Sequence, residues 1–344
     1  MIKSELEKRN IPPLKSREEM LEILLKEEYG NMPPLPESVS FETEEGVIPN
    51  FCAGNAYCCK VTANCVVNGK EFSFPFLATF PSDDKKHPFF IHMNFRPDNP
   101  DRYMPTEELI DNGFAVFSVY YEDVTSDDDD FTNGLAGILF PDGKRGAEDS
   151  GKIAMWAWAN QRVMDYAQLN EDKLDLSRSI VCGHSRLGKT ALLTAATDQR
   201  FQYAYSNDAG CSGDSLARGT EGEEIKDICK NFPFWFCENY KKYVNNEENM
   251  PFDQHYLLAS IAPRRVMLGS ASEDWWADPY SQYLSCVAAS DAFKKGMNFE
   301  NRKPQTDDVF TDGDIAFHMR KGLHYFSRLD WLRMIDFVNS KTEG

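Results

Sequence analysis

Several features are scarce in this 344-residue chain, and each scarcity excludes a class of protein. No stretch approaches the ~20 consecutive apolar residues that a membrane span needs, so a soluble protein without a membrane partner is expected. Positive charge is short: 37 Lys and Arg stand against 55 Asp and Glu, a formal net charge of −18. That balance repels nucleic acid and anionic membranes, which leaves a protein or a neutral small molecule as the expected partner. The nine cysteines lack both a disulfide-framework spacing and any Cys-x-x-Cys pair. Cys182 and Cys286 lie inside apolar runs, so reduced thiols are expected, and no metal or cofactor is implied. Met1 to Arg9 is charged throughout and lacks the apolar centre of a secretory signal, which gives a cytoplasmic expectation for the chain as it stands. Internal repeats are absent, and the run Asp127 to Asp130 is the one low-complexity tract. A run of acids lacks the spaced ligands of a cation site, so Thr125 to Asp130 is expected to be a solvated surface loop.

What is present is a chain rich enough in apolar (42%) and aromatic (13%) residues to bury a large core. Residues 1 to 30 carry a helical pattern that Pro33-Pro34-Leu35-Pro36 breaks. Residues 1–50 are therefore expected to be a helix and an extended lead-in packed on a single catalytic domain spanning 51–344. Alternating segments Tyr57 to Val67 and Phe72 to Phe80, joined near Asn68-Gly69, predict an antiparallel hairpin. Apolar strands Phe89 to Met93 and Phe114 to Tyr120 flank a short helix from Thr106 to Asn112, which is the rhythm of a parallel sheet. A helix over 147 to 168, strands at Tyr203 to Asn207 and 265 to 270, a loop-rich insert over about 208–251, a helix near 279 to 295 and a closing helix from Asp330 to Phe337 complete the pattern. Trp156 and Trp158, on the first of these helices, are expected in the core or lining a groove.

Chemistry concentrates in Gly183-His184-Ser185-Arg186-Leu187-Gly188-Lys189-Thr190. An apolar run enters it and a helix-forming run leaves it, so strand, turn and helix meet on Ser185. Such a turn lifts a serine hydroxyl clear and aims backbone N–H groups at what the hydroxyl attacks. The same letters satisfy the phosphate-loop pattern, so a nucleotide-binding protein competes with a hydrolase. A hydrolase needs an acid after a later strand and a histidine near the C-terminus. Asp274 follows the apolar run Val266 to Gly269, with Asp208 and Glu273 as alternative acids, and Gly322-Leu323-His324 suits only the hydrolase. Of the other histidines, His184 is too near the serine to fold back on it easily, and His255 sits at a helix start where a structural hydrogen bond is expected. The usual elbow has Gly two residues after the serine; here that residue is Leu187, with Gly at 188.

Ile180 to Leu193, Ser206 to Gly213, Gly222-Glu223-Glu224, Phe232 to Phe236, Asp253-Gln254-His255, Glu273 to Pro279 and Gly322 to His324 together resemble the glucuronoyl esterases, carbohydrate esterase family fifteen, bacterial branch. The likeness runs from about residue 85 to the C-terminus, and the family's elbow, Gly-x-Ser-Arg-x-Gly-Lys, accounts for Leu187. It implies a three-layer α/β hydrolase fold, with a mostly parallel central sheet flanked by helices, and a serine esterase without a cofactor. By the resemblance Ser185 is the nucleophile, His324 the base, Asp274 or Asp208 the acid, Arg186 the oxyanion group, and Lys189, Glu223 and Trp235 contacts to the sugar. Fungal members place a Glu where Asp208 stands, and some bacterial members use an acid after the next strand. Members act in xylan degradation and are commonly secreted; without a signal, a small imported uronate ester is expected here, as monosaccharide or oligosaccharide. A carbohydrate deacetylase and an inactive carbohydrate-binding hydrolase fold remain as alternatives.

Overall fold

The computed structural model describes residues 1–341. Helices α1 (Ile2–Arg9) and α2 (Arg17–Leu24) open the chain, and strand β1 (Ser38–Glu44) follows. The predicted N-terminal helical stretch is thus split, because α2 has its own start: a capping box between Ser16 and Glu19. The hairpin is β2 (Ala56–Val67) and β3 (Lys70–Pro81). Its turn is Asn68-Gly69, both at positive φ (52° and 70°), which matches the right-handed twist of the two strands. Then come β4 (His87–Asn94), α3 (Thr106–Asp111), β5 (Ala115–Tyr120), α4 (Gly134–Leu139), α5 (Lys152–Leu169), β6 (Leu174–His184), α6 (Arg186–Thr197) and β7 (Tyr203–Asn207). The insert carries α7 (Ile225–Asn231) and α8 (His255–Ala259) follows it; the chain closes with β8 (Arg265–Ala271), α9 (Pro279–Ala289), β9 (Val309–Phe310), β10 (Ile315–Arg320) and α10 (Arg328–Ser340).

One ten-stranded sheet runs β1-β2-β3-β5-β4-β6-β7-β8-β10-β9. From β5 to β10 the neighbours are parallel, whereas β1 to β3 at one edge and β9 at the other are antiparallel. Every residue of β4 is buried, as a strand covered on both faces must be. Its alternate residues serve different layers. Phe89, Ile91 and Met93 join the large core that includes residues of α5, α6 and α9, while Phe90 joins a second cluster with Leu109, Trp331, Met334 and Val338 of α3 and α10. Helices on both faces of a mostly parallel sheet give the three-layer α/β hydrolase architecture. Trp156 and Trp158 are both fully buried. None of the nine cysteines is in a disulfide. Among the described residues no helix is long and apolar enough to cross a membrane.

Strand order decides where chemistry can sit. Adjacent parallel strands β6, β7, β8 and β10 end on the same side, so the loops leaving them converge, and such loops are where open α/β sheets bind ligands. At the end of β6 the chain must turn straight into α6, with Ser185 at φ 57°, ψ −129°. A non-glycine residue there costs on the order of 1–3 kcal/mol, so packing must impose it. Two glycines let it do so. A Cβ on Gly183 would lie 2.1 Å from the Leu187 carbonyl oxygen, and one on Gly188 would lie 2.8 Å from Ser206 Oγ and 3.1 Å from Ala209 Cβ. The close approach that usually needs Gly two residues after the serine is made one residue later here, and Leu187 is instead fully buried.

Gly183→Ala is therefore expected to cost about 3 kcal/mol, because the obstructing atoms are backbone and cannot rotate away. Equilibrium urea unfolding checks this, and a loss within ~0.5 kcal/mol contradicts the elbow packing.

Candidate active site

Ser185 caps α6 without a side-chain capping bond, and its N–H donates to the Asn207 carbonyl at 2.8 Å. The first N–H groups of α6 have no intrahelical acceptor, so they and the helix dipole face the serine's surroundings as an anion site. The phosphate-loop reading fails on two points. Helix α6 starts directly after Ser185, leaving no Gly-rich loop to wrap a phosphate. Lys189 Nζ also turns inward, donating to the Ala209 carbonyl at 2.6 Å and to that of Cys211.

His324 lies in the loop after β10, 44% exposed, with Nδ1 2.6 Å from Asp274 Oδ2. A carboxylate can only accept, so Nδ1 carries the hydrogen and Nε2 keeps its lone pair. Asp274 is 6% exposed, in the turn after β8, and the Ala277 N–H steadies its other oxygen at 3.4 Å. Asp208 is fully buried at the end of β7, in a left-handed conformation (φ 46°). Its Oδ1 accepts the Ala271 N–H at 2.9 Å, and its Oδ2 has no hydrogen-bond partner among the described residues. Burial, and then the charges of Asp274 and Asp330, push its carboxyl well above the usual range despite Arg320 at 3.5 Å. One oxygen each from Asp208 and Asp274 and a His324 nitrogen lie within 4.8 Å of one another, a three-donor set that could hold a cation. Glu273, the third candidate acid, is exposed.

Ser185, Arg186, Lys189, Asp208, Glu223, Trp235, Trp276, Asp274 and His324 all line one cavity of about 320 Å³. Glu223 is pushed up by burial, opposed by Lys189 and by a hydrogen bond from Trp276. Trp276 carried no expected role, although it sits in the Glu273 to Pro279 stretch; its indole is 56% exposed, two residues after the acid. Trp235 is 4% exposed and stacked on Phe232 with centroids 3.9 Å apart, and the Arg186 guanidinium lies 4.7 Å from its ring centre. His184 packs 4.4 Å from the His324 ring and bonds Asn207 Oδ1 at 2.7 Å; burial holds it well below the usual imidazole range, so it stays neutral. His255 is structural in its bonding, with Nε2 on the Pro12 carbonyl at 2.9 Å.

The solvated-loop expectation for Thr125 to Asp130 is corrected. Asp128 to Asp130 are exposed, but the Asp127 side chain is 6% exposed, paired with Arg186 and bonded by Trp235. A larger cleft of about 740 Å³, at the opposite end of the strands, contains Ser82, Asp83 and His87. Both ring nitrogens of His87 are engaged there, by Asp83 at 2.6 Å and by the Gly113 carbonyl at 2.8 Å, so no nitrogen is left to act as a base.

A family profile described as fungal glucuronyl esterase matches residues 63–296. The chain belongs to the glucuronoyl esterase family. It is 34% identical over 242 residues to a carbohydrate esterase from an unknown prokaryotic organism, covering 69% of this chain and 56% of that protein. A 4-O-methyl-glucuronoyl methylesterase of Schizophyllum commune is 25% identical over 297 residues, covering 82% of this chain and 68% of that protein. The chain thus spans about half to two thirds of the length of these curated relatives. The solved glucuronoyl esterase from Solibacter usitatus superposes with a TM-score of 0.85 at 28% identity, covering 95% of this chain and 92% of that one.

The state of the two acids makes a discriminating test. Asp274→Asn is expected to lower kcat by roughly 10³-fold or more, because an amide can hold the imidazole in the wrong tautomer. Asp208→Asn replaces a carboxyl whose charged form burial disfavours and keeps the acceptor for Ala271, so its loss should stay within about tenfold. Steady-state kinetics of both variants decide it, and the reverse ranking transfers the role to Asp208.

Proposed function

We propose that this protein is a serine-dependent carboxylic ester hydrolase acting on glucuronoyl esters through an acyl-enzyme. The carrying observation is convergence: a strained-turn serine, a histidine held at 2.6 Å by a buried Asp, and a cation, an acid and an indole share one single-ring-sized cavity. Family membership and the names of the relatives, a carbohydrate esterase and a 4-O-methyl-glucuronoyl methylesterase, support the substrate class.

The steps follow from the groups available. Ser185 Oγ attacks the ester carbonyl carbon while His324 Nε2 takes its proton, and Asp274 stabilises the imidazolium through Nδ1. The carbonyl oxygen becomes an oxyanion beside the α6 N-terminus and Arg186, whose donors are already in place when the charge develops. The alcohol leaves with the proton from His324, giving the acyl-enzyme. Water, deprotonated by the same nitrogen, then releases the uronate and restores Ser185. Lys189 Nζ, with two of its three hydrogens on the Ala209 and Cys211 carbonyls, keeps one for a ring hydroxyl, Glu223 supplies an acceptor, and Trp276 offers an apolar face, the usual composition of a sugar site.

Ser185→Ala is expected to lower turnover of methyl glucuronate by on the order of 10³-fold or more with the melting temperature unchanged, because among the described residues no other serine lines the cavity. A substrate panel sets the class: methyl glucuronate should be hydrolysed with at least ~10-fold higher kcat/KM than acetylated xylose. Equal or reversed rates favour a carbohydrate deacetylase and overturn the uronate reading.

A further inference from the structure

Among four consecutive acids, Asp127 alone is turned inward, and it joins two residues far away in the chain. Its Oδ2 accepts from Arg186 Nη1, 59 residues on, and from the Tyr121 hydroxyl at 3.2 Å. Its Oδ1 accepts from Trp235 Nε1, 108 residues on, at 2.7 Å. The guanidinium is packed against aromatic rings as well, 4.7 Å from the centre of Trp235, 5.3 Å from Phe232 and 5.6 Å from Phe95. Arg186 Nε is buried with no hydrogen-bond partner among the described residues. One nitrogen of the fork is thus committed to Asp127, while Nε–H has no acceptor.

The loop bearing Asp127 is itself anchored. Fully buried Lys152 donates from Nζ to Thr125 Oγ1 at 2.9 Å, to the Asp130 carbonyl at 2.6 Å and to Ser126 Oγ at 3.4 Å. Trp156 Nε1 bonds the Thr125 carbonyl at 3.3 Å, and Asn133 ties Ser126 from the other side at 3.0 Å. An exposed acidic loop would not need a buried lysine and an indole beneath it. The construction sets Asp127 before any substrate arrives.

We propose that Asp127 is a positioning residue for the ester chemistry: it holds the Arg186 guanidinium in one orientation beside Ser185 and balances its charge. This rests on the reading of Arg186 as the oxyanion group. An arginine side chain otherwise samples many rotamers, and a group that must meet a developing charge is effective only if oriented beforehand. Charge balance has a second consequence. The reaction turns a neutral ester into a carboxylate, and an unpaired guanidinium binds carboxylates by two parallel charge-assisted bonds. Occupied by Asp127, Arg186 cannot swing freely onto the product.

The test is a double-mutant cycle on methyl glucuronate with Asp127→Ala, Arg186→Ala and the double variant, and Asp127→Asn as the shape-preserving replacement. Expected are a kcat loss of roughly tenfold or more for Asp127→Ala, a smaller loss in the same direction for Asp127→Asn, and less than a twofold further loss when Asp127→Ala is added to Arg186→Ala. Glucuronate should inhibit Asp127→Ala more tightly than the parent, and this tightening should vanish in the double variant. If Arg186→Ala is impaired but Asp127→Ala costs the same factor in either background, Asp127 acts elsewhere and the proposal falls alone. If Arg186→Ala is as active as the parent, the oxyanion reading falls and takes this proposal with it.

Discussion

The site depends on one packing constraint, the junction of β6 and α6. Gly183 and Gly188 allow the helix to lie so close to the sheet that the chain has no room for a loop, and Ser185 absorbs the whole change of direction at φ 57°. That strain is held by the surrounding core: Val181, Leu187 and Leu193 are fully buried, each contributing roughly 1.5–3 kcal/mol of burial. The same geometry separates a nucleophile elbow from a phosphate loop written in nearly identical letters. A phosphate loop needs several non-helical residues between strand and helix, whereas this elbow has only Ser185.

Around that point the protein sorts its charges by burial. The ends of β7 and β8 bring Asp208 and Asp274 close together, and burial disfavours two anions in so little water. Asp274 keeps a protonated nitrogen of His324 as its partner, whereas Asp208 is pushed toward the neutral form and Asp127 is matched to Arg186. Neutral His184, packed against His324 at a tilt, adds no opposing charge when the imidazole takes up a proton. In a chain with a net charge of −18, Arg186 and Lys189 thus line a cavity whose carboxyl groups are each buried or paired.

Much of this was legible in the sequence because it rests on local rules. Asn68-Gly69 announces its hairpin turn, and the apolar runs before Asn94 and Ser185 read as buried strands. The order of serine, acid and histidine then follows from the topology. What escaped lacks a local signature. Strand β10 holds His318, Met319 and Arg320, all buried, and polar side chains hide a buried strand until their partners are known: His318 bonds Tyr205, and Arg320 bonds Asp330. Edge strand β1 is mostly exposed, and only Val39 and Phe41 alternate with its polar residues, too short a pattern to mark a strand. Asp127 reads like its three neighbours, since only contacts 59 and 108 residues away distinguish it. Trp276 was within a recognised stretch, yet its place in the cavity depends on how the turn after β8 folds.

The central claim is that Ser185 is an activated nucleophile, and covalent labelling tests it most directly. The folded protein, treated with a fluorophosphonate and digested, is predicted to yield one phosphonylated peptide with the adduct on Ser185, because only an activated serine attacks phosphorus at a useful rate. A folded protein that takes no label, or takes it at a different serine, would contradict the account.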